Sequence, residues 1–238
     1  MSKLSFSLPR DRVVPVSSVE VRLDATSHPF ELEHQLAIEE NWRREREANP
    51  ALFDGRLVLL SQVSYEQKRV IGRCHSVRYA TLLYWRRARP AGAEHAYAHA
   101  ALVSSDGALV AIRMGTHTAN PGKVYFAAGS FEPMDFVDGM VDVEGNMARE
   151  VREETGLDIL RLPRDDEYQL FSRDGITVIF RRYYMGEPAD LIAAKISDFV
   201  ARETDPEIEG PVIIRERDNL PDGVMPYMKA IIDWHFSG

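Results

Sequence analysis

Cysteine is almost missing from these 238 residues: Cys74 stands alone, which excludes an internal disulfide and a multi-thiolate metal site. Arg73 and His75 beside it hint only weakly at an activated thiolate, and an inert, partly buried thiol in a reducing compartment is the expectation. No run approaches the roughly 20 apolar residues of a membrane span. Met1 to Arg10 contain no apolar core of signal-peptide length, so a cytoplasmic location is expected. Positive charge is in deficit, with 29 Lys+Arg against 37 Asp+Glu, a net charge of −8 and a pI near 5.4. That balance argues against a nucleic-acid backbone or an anionic membrane as the main partner. Low-complexity linkers and internal repeats are also missing, so no solenoid or tandem array is expected.

What remains is an ordinary globular composition, 45% apolar and 28% charged. It is long enough for one large domain or one domain with an elaborated N-terminal extension. Val13 to Leu23 reads as a strand, Phe30 to Asn49 as an amphipathic helix closed by Pro50, and Leu57 to Ser64 with Arg69 to Val77 as a hairpin. Ala80 to Arg87 reads as a short helix. From His95 the pattern is more regular. His95 to Ser104 and Ala108 to Met114 flank Ser105-Asp106-Gly107, a strong hairpin signal, and Lys123 to Ala128 reads as a third strand. A helix ends at Gly156, strands follow over Tyr168 to Ser172 and Ile176 to Tyr184, and a helix covers Pro188 to Glu203. Pro211 to Arg215 and Met225 to Phe236 close the chain as strand and helix. Strand and helix alternate without a long βαβ series, so the expected fold is α/β (α+β), with helices on both faces of a mixed sheet.

The chemistry is concentrated in Arg149-Glu150-Val151-Arg152-Glu153-Glu154-Thr155-Gly156-Leu157. On a helix, Glu150, Glu153 and Glu154 fall within an arc of roughly 100°. Like charges at this spacing destabilise a helix unless a cation compensates them. Oxygen-only donors suit hard Mg²⁺ or Mn²⁺, which complete their shells with water and phosphate oxygens. A solvated Glu-rich face is the ordinary explanation for three such residues, but the full string is rarer. Its fixed positions arise by chance in roughly one window per million.

The segment resembles the second half of the Nudix box of nucleoside-diphosphate-X hydrolases, G-x5-E-x7-R-E-U-x-E-E-x-G-U with U apolar. Every fixed residue and both apolar positions of that half match. Ala128-Gly129-Ser130-Phe131-Glu132-Pro133 resembles the turn that opens the box, with Gly129 as its glycine and Glu132 as an acidic residue three places later. The fifth residue after Gly129 is Asp135 rather than Glu, and 149 − 135 − 1 = 13 residues precede Arg149 where the family has seven. The extra residues are expected to form a looped insertion around Val137 to Val143.

The resemblance implies a Nudix-type α/β/α sandwich over residues 95–238, with an N-terminal extension over 1–94 packed on it. It implies metal-dependent hydrolysis of the diphosphate bond in a nucleoside diphosphate linked to another moiety. Glu150, Glu153 and Glu154 would ligate Mg²⁺ or Mn²⁺, the Gly129 carbonyl could add a ligand, and Arg149 would hold the acidic cluster. A general base could be one of these glutamates or lie in the loop Thr204 to Glu209, where Glu207 and Glu209 are the candidates. Asn49-Pro50-Ala51-Leu52-Phe53-Asp54-Gly55 and Tyr79 resemble the UDP-sugar-hydrolysing branch, while ADP-ribose and dinucleoside polyphosphates share the same P–O–P core. Homodimers are common among such relatives, and the N-terminal elements could supply an interface or cap the pocket. The competing class is a Nudix-fold module that senses such a ligand without turnover.

Other signals are weaker. Gly115 to Lys123 has the wrong glycine spacing for a P-loop and Val124 in place of its Ser or Thr; in that loop His117 and Asn120 could meet substrate polar groups. His95 and His99 read as packing or surface histidines rather than zinc ligands. Tyr79 or Tyr125 could stack on a base.

Overall fold

The computed structural model describes residues 6–237. The first half contains β1 (Phe6–Ser7), β2 (Val13–Val16), β3 (Ser18–Asp24), α1 (Pro29–Glu33), α2 (Gln35–Ala48), β4 (Arg56–Glu66), β5 (Arg69–Arg78) and α3 (Tyr79–Ala88). The second half adds β6 (His95–Val103), β7 (Leu109–Met114), β8 (Val124–Tyr125), β9 (Phe136–Val137), β10 (Met140–Val141) and α4 (Val143–Thr155). It continues with β11 (Tyr168–Arg173), β12 (Ile176–Tyr184), α5 (Ala189–Val200), β13 (Ile208–Ile214) and α6 (Pro226–Ser237). The expected mixture of helices and mixed sheets is what the chain forms.

Two mixed sheets carry the fold, one in the order β1-β4-β5-β3-β10-β9 and the other β13-β7-β6-β12-β11-β2, with β8 paired to β7. In the second sheet β6 and β12 run parallel over their whole length, from His95 beside Ile176 to Val103 beside Tyr184. Successive strand residues face opposite sides, and β12 uses both: Phe180 meets the Trp234 ring of α6, whereas the Tyr183 hydroxyl contacts the Met147 sulfur of α4. Helices therefore cover both faces of this sheet.

β4 reads as a continuous apolar run because both its faces are buried. Leu57 and Leu59 join Phe30, Leu82 and Trp85 in a small core beneath α1 and α3. Val58 and Leu60 belong to the main core, which also takes Ala98, Val178 and Ile179 of the second sheet.

The N-terminal segment and the rest of the chain are interwoven. β2 lies antiparallel on β11 at the edge of the second sheet, and β10 pairs with β3 of the first. The ranges 1–94 and 95–238 also reach residues 1–5 and 238, outside the described part. The extra residues between Asp135 and Arg149 are not a loop but a hairpin, β9–β10, turned by Asp138 and Gly139 at positive φ. Its pairing to β3 satisfies backbone groups that a loop would leave to water. The strand expected over Lys123 to Ala128 shortens to β8, because the chain then leaves β7 and brings Ala128 to the acidic helix.

That helix, α4, begins where Asp142 accepts from the Gly145 amide (2.9 Å) and ends at Gly156, whose φ of 72° forms a left-handed cap. A Cβ at Gly156 would also overlap the Phe199 ring of α5. Gly156→Ala is therefore expected to cost about 1–3 kcal/mol, read as a lower denaturant midpoint with an unchanged slope.

Candidate active site

α4 packs against β6, and its acidic face borders a cleft of about 470 Å³. Gly129, Glu132, Arg149, Glu150, Glu153 and Glu154 line this cleft from one side; Glu203, Asp205 and Glu207, beyond the end of α5, line it from the other. The opening turn of the box is held by long-range pairing. Ser130 bridges to Tyr97 of β6, its hydroxyl meets His95 Nε2 (3.0 Å), and the Phe131 carbonyl accepts from the Val58 amide of β4 (2.9 Å).

Each carboxylate has a distinct setting. Glu154 is buried and accepts from the Ala128 amide at 3.0 Å. Glu150 is buried against Gly129 so closely that any Cβ there would collide with its carboxyl group. Glycine is thus required by close approach. Glu153 is exposed and ion-pairs with Arg149 at 3.0 Å. Arg149 also meets Glu150 Oε1 at 2.7 Å and contacts both oxygens of buried Asp135 at 3.1 Å. Asp135 in turn accepts from Asn146 Nδ2 (3.0 Å) and the Glu132 amide (2.8 Å).

Burial pushes the Glu150 carboxyl from 4.5 up to about 7; Arg149 opposes the shift, and Glu153, Asp135 and Glu132 reinforce it. One guanidinium shared among three carboxylates does not offset the desolvation of Glu150. Glu154 is raised well above the ordinary range by burial, then by Glu150 and Glu207, with the Ala128 amide opposing. Glu132 is raised by burial against the opposing pull of Arg149.

A folded pKa above the unfolded one means that the folded chain holds a proton the unfolded chain has released. Stability is then full below about 4.5 and declines as pH rises through about 7. The metal-free protein is expected to have a lower urea midpoint at pH 8 than at pH 5. Glu150→Gln should flatten that slope, and a slope unchanged in this variant would contradict the assignment.

A second cleft, of about 630 Å³, shares Gly129, Ser130, Glu150, Glu154, Asp205 and Glu207 with the first. Its walls come from β6 (Tyr97, His99), β8 (Tyr125), α6 (Tyr227), α3 (Tyr79, Leu82, Arg86) and the segment after α2 (Asn49, Ala51, Leu52, Phe53). His99 is fully buried, and neither ring nitrogen completes a well-formed hydrogen bond. Burial holds His95 and His99 down to about 3, so both are neutral imidazoles.

The expected site residues divide. Gly129, Glu132, Arg149, Glu150, Glu153, Glu154 and Glu207 converge on the acidic cleft, while Tyr79 and His117 line the larger one, His117 lying 3.6 Å from Asp205. Glu209 is not brought in: a register irregularity between Ile208 and Gly210 leaves it exposed on β13, away from both clefts. Cys74 is buried and its thiol is pushed up to about 12 by burial, the opposite of an activated thiolate. Sequence reasoning missed Asp135 as the anchor of Arg149, although it stands at the acidic position of the box. It also missed Arg86, which the helical stripe Tyr79, Leu82, Arg86 could have shown.

The donors around Glu150 and Glu154 are all oxygens, and these two buried carboxylates repel each other, so a hard divalent cation fits them. Among the described residues no three His, Cys, Asp or Glu side chains stand ready-made as a metal cluster. Such an ion would therefore complete its shell with water and substrate oxygens.

No family model and no curated protein matches the chain. Among solved structures, the chain is similar to the MutT protein of Methanosarcina mazei Go1 at 17% identity, over 60% of this chain and 93% of that one, with a TM-score of 0.40. It is also similar to DR0079 from Deinococcus radiodurans (18% identity, 67% and 83% covered, TM-score 0.40) and to the E. coli ORF135 protein (16%, 60% and 90%, 0.36).

Proposed function

We propose that the protein is a Nudix-type hydrolase that uses Mg²⁺ or Mn²⁺ to cleave the diphosphate bond of a nucleoside diphosphate linked to another moiety. The products are a nucleoside monophosphate and a phosphorylated remainder. The observation that carries this reading is the convergence of Glu150, Glu153, Glu154 and the Gly129 turn on one cleft, with Glu207 across it. A divalent cation bound here would neutralise charge on the diphosphate and acidify water.

The chain's own residues divide the remaining work. Glu150, Glu153 and Glu154, with the Gly129 carbonyl, would hold the ion. Arg149 orients Glu150 and Glu153, and Asp135 fixes Arg149. Glu207 would accept the proton of the attacking water. Water's oxygen forms a new bond to one phosphorus, the bridging P–O bond breaks, and the bridging oxygen leaves with the other phosphate.

The larger cleft would hold the two organic moieties. Asn49 to Phe53 and Tyr79, the segments similar to the UDP-sugar branch, line it. A nucleotide sugar such as a UDP-sugar, or ADP-ribose, is therefore the proposed substrate class, with the N-terminal elements as its specificity determinants. The buried thiol of Cys74 fits a reducing, cytoplasmic setting. The test is incubation of pure protein with Mg²⁺ and a panel of UDP-sugars, ADP-ribose and dinucleoside polyphosphates, following mononucleotide release. Mononucleotide from at least one compound is expected; tight binding without products would instead identify a sensing module.

A further inference from the structure

The larger cleft changes character along its length. At the end shared with the acidic helix it is lined by Glu150, Glu154 and Glu207; at another part of its wall stand two guanidiniums, Arg86 of α3 and Arg89 at its C-terminus. Arg89 adopts φ 47°, a left-handed cap that ends the helix. Its guanidinium lies 4.5 Å from the Trp85 ring centroid, on a residue that also lines the cleft.

Neither cation has an ion-pair partner among the described residues. Arg86 donates to Asn120 Oδ1 at 3.0 Å; Arg89 donates to the carbonyls of Arg86 (3.2 Å) and Asp174 (3.0 Å). Burial and the neighbouring Arg86 charge both lower Arg89, with Asp174 attracting it only weakly in return. Partly buried Arg86 and exposed Arg89 are like charges that repel each other, and an anion bound between them would relieve that repulsion.

Neutral groups lie between the two ends. Asn120 Nδ2 reaches Tyr125 Oη at 3.4 Å, and the Tyr125 hydroxyl is within electrostatic reach of Glu154 and Glu207 on one side and Arg86 on the other. The fully buried His99 packs against the Tyr125 and Tyr227 rings in the same wall. The cleft thus offers carboxylates, then aromatic and neutral polar groups, then guanidiniums.

We infer that Arg86 and Arg89 bind a second anionic group of the substrate, a phosphate or carboxylate separate from the scissile diphosphate. This rests on the hydrolase reading for the identity of the diphosphate, but not for the anion preference itself. The carboxylate end suits a cation-bridged diphosphate, and it repels any anion not so bridged. A free anion on the same molecule is therefore directed to the guanidiniums, whose planar forks match phosphate or carboxylate oxygens.

The experiment uses two pairs that differ in one anion: UDP-glucose with UDP-glucuronate for the carboxylate, and ADP-ribose with its 2′-phosphorylated form for the phosphate. With the full chain and Mg²⁺, at least one anion-bearing member is expected to have a kcat/KM about 10-fold or more above its neutral partner, mainly through KM. The responding pair tells which anion is recognised. In Arg86→Gln and Arg89→Gln that ratio should collapse towards one. Anion-bearing members no better than neutral ones, or a ratio unmoved in both variants, would overturn the inference. Should no compound be hydrolysed, the hydrolase reading fails while the inference is still decided by dissociation constants of the same four compounds, with the same ratio expected and the same equality overturning it.

Discussion

Glu154→Gln is expected to lower kcat by about 10³-fold, or roughly 4 kcal/mol, while the protein stays folded. The carboxylate is buried, receives the Ala128 amide at 3.0 Å and faces Glu150 and Glu207. Gln keeps the shape and can still accept from Ala128 through its amide oxygen, so what it removes is the charge that would hold a divalent cation. Desolvation disfavours the Glu154 anion, hence the neutral amide should leave metal-free stability equal or higher. A variant that is inactive and no less stable separates lost chemistry from lost folding. Glu153→Gln is expected to lose activity too, through weaker hold on Arg149 as well as on the cation. Near-normal turnover in both variants would show the acidic face to be bystander surface.

Asp135→Ala is expected to be the most destabilising of the changes considered, by about 3–5 kcal/mol, or on the order of 10 °C in Tm for a chain of this size. It removes a buried carboxylate that meets Arg149 with two oxygens, accepts from Asn146 and ties the Glu132 amide into the short turn Pro133–Asp135. Asn146 is itself fully buried, with its Oδ1 already unpartnered. Losing Asp135 leaves its Nδ2 unpartnered as well and frees Arg149 to lean wholly onto Glu150 and Glu153. Activity should fall a further 10–100-fold or so, as when a ligand's supporting residue is lost. Thermal denaturation of Asp135→Ala beside Asp135→Asn checks this. The Asn variant keeps the neutral hydrogen bonds and should recover part of the stability but less of the activity; equal midpoints for both variants and wild type would show that Asp135 anchors nothing.

The local structure of the site was legible because its causes are local. The three- and four-residue spacing of Glu150, Glu153 and Glu154 fixes a shared helix face whatever surrounds it. Gly156 announces the helix end because its left-handed backbone is a local requirement, and Ser105-Asp106-Gly107 turns its hairpin for the same reason. Most β-rich runs became strands within a few residues of their expected limits, since alternation and β-branching act along the chain, but Val13 to Leu23 divided at Ser17 into β2 and β3, which join different sheets. Where a long-range partner intervened the reading moved. Lys123 to Ala128 gave only a two-residue strand, and the expected loop near Val137 to Val143 became a hairpin because β3 offered an edge.

The sequence by itself determined an acidic helix ending at Gly156, an ordinary globular composition, and an oxygen-rich donor set suited to a hard cation. Only the tertiary structure decided which groups that helix meets: Asp135 under Arg149, Gly129 against Glu150, Glu207 across the cleft while Glu209 turns away, and Arg86 with Arg89 at the far wall. Helix spacing and turn chemistry act over a few residues and are written in neighbouring letters. The meeting of positions 86, 99, 125, 154 and 207 depends on strand register and on where long connections let the chain return, which no local pattern encodes.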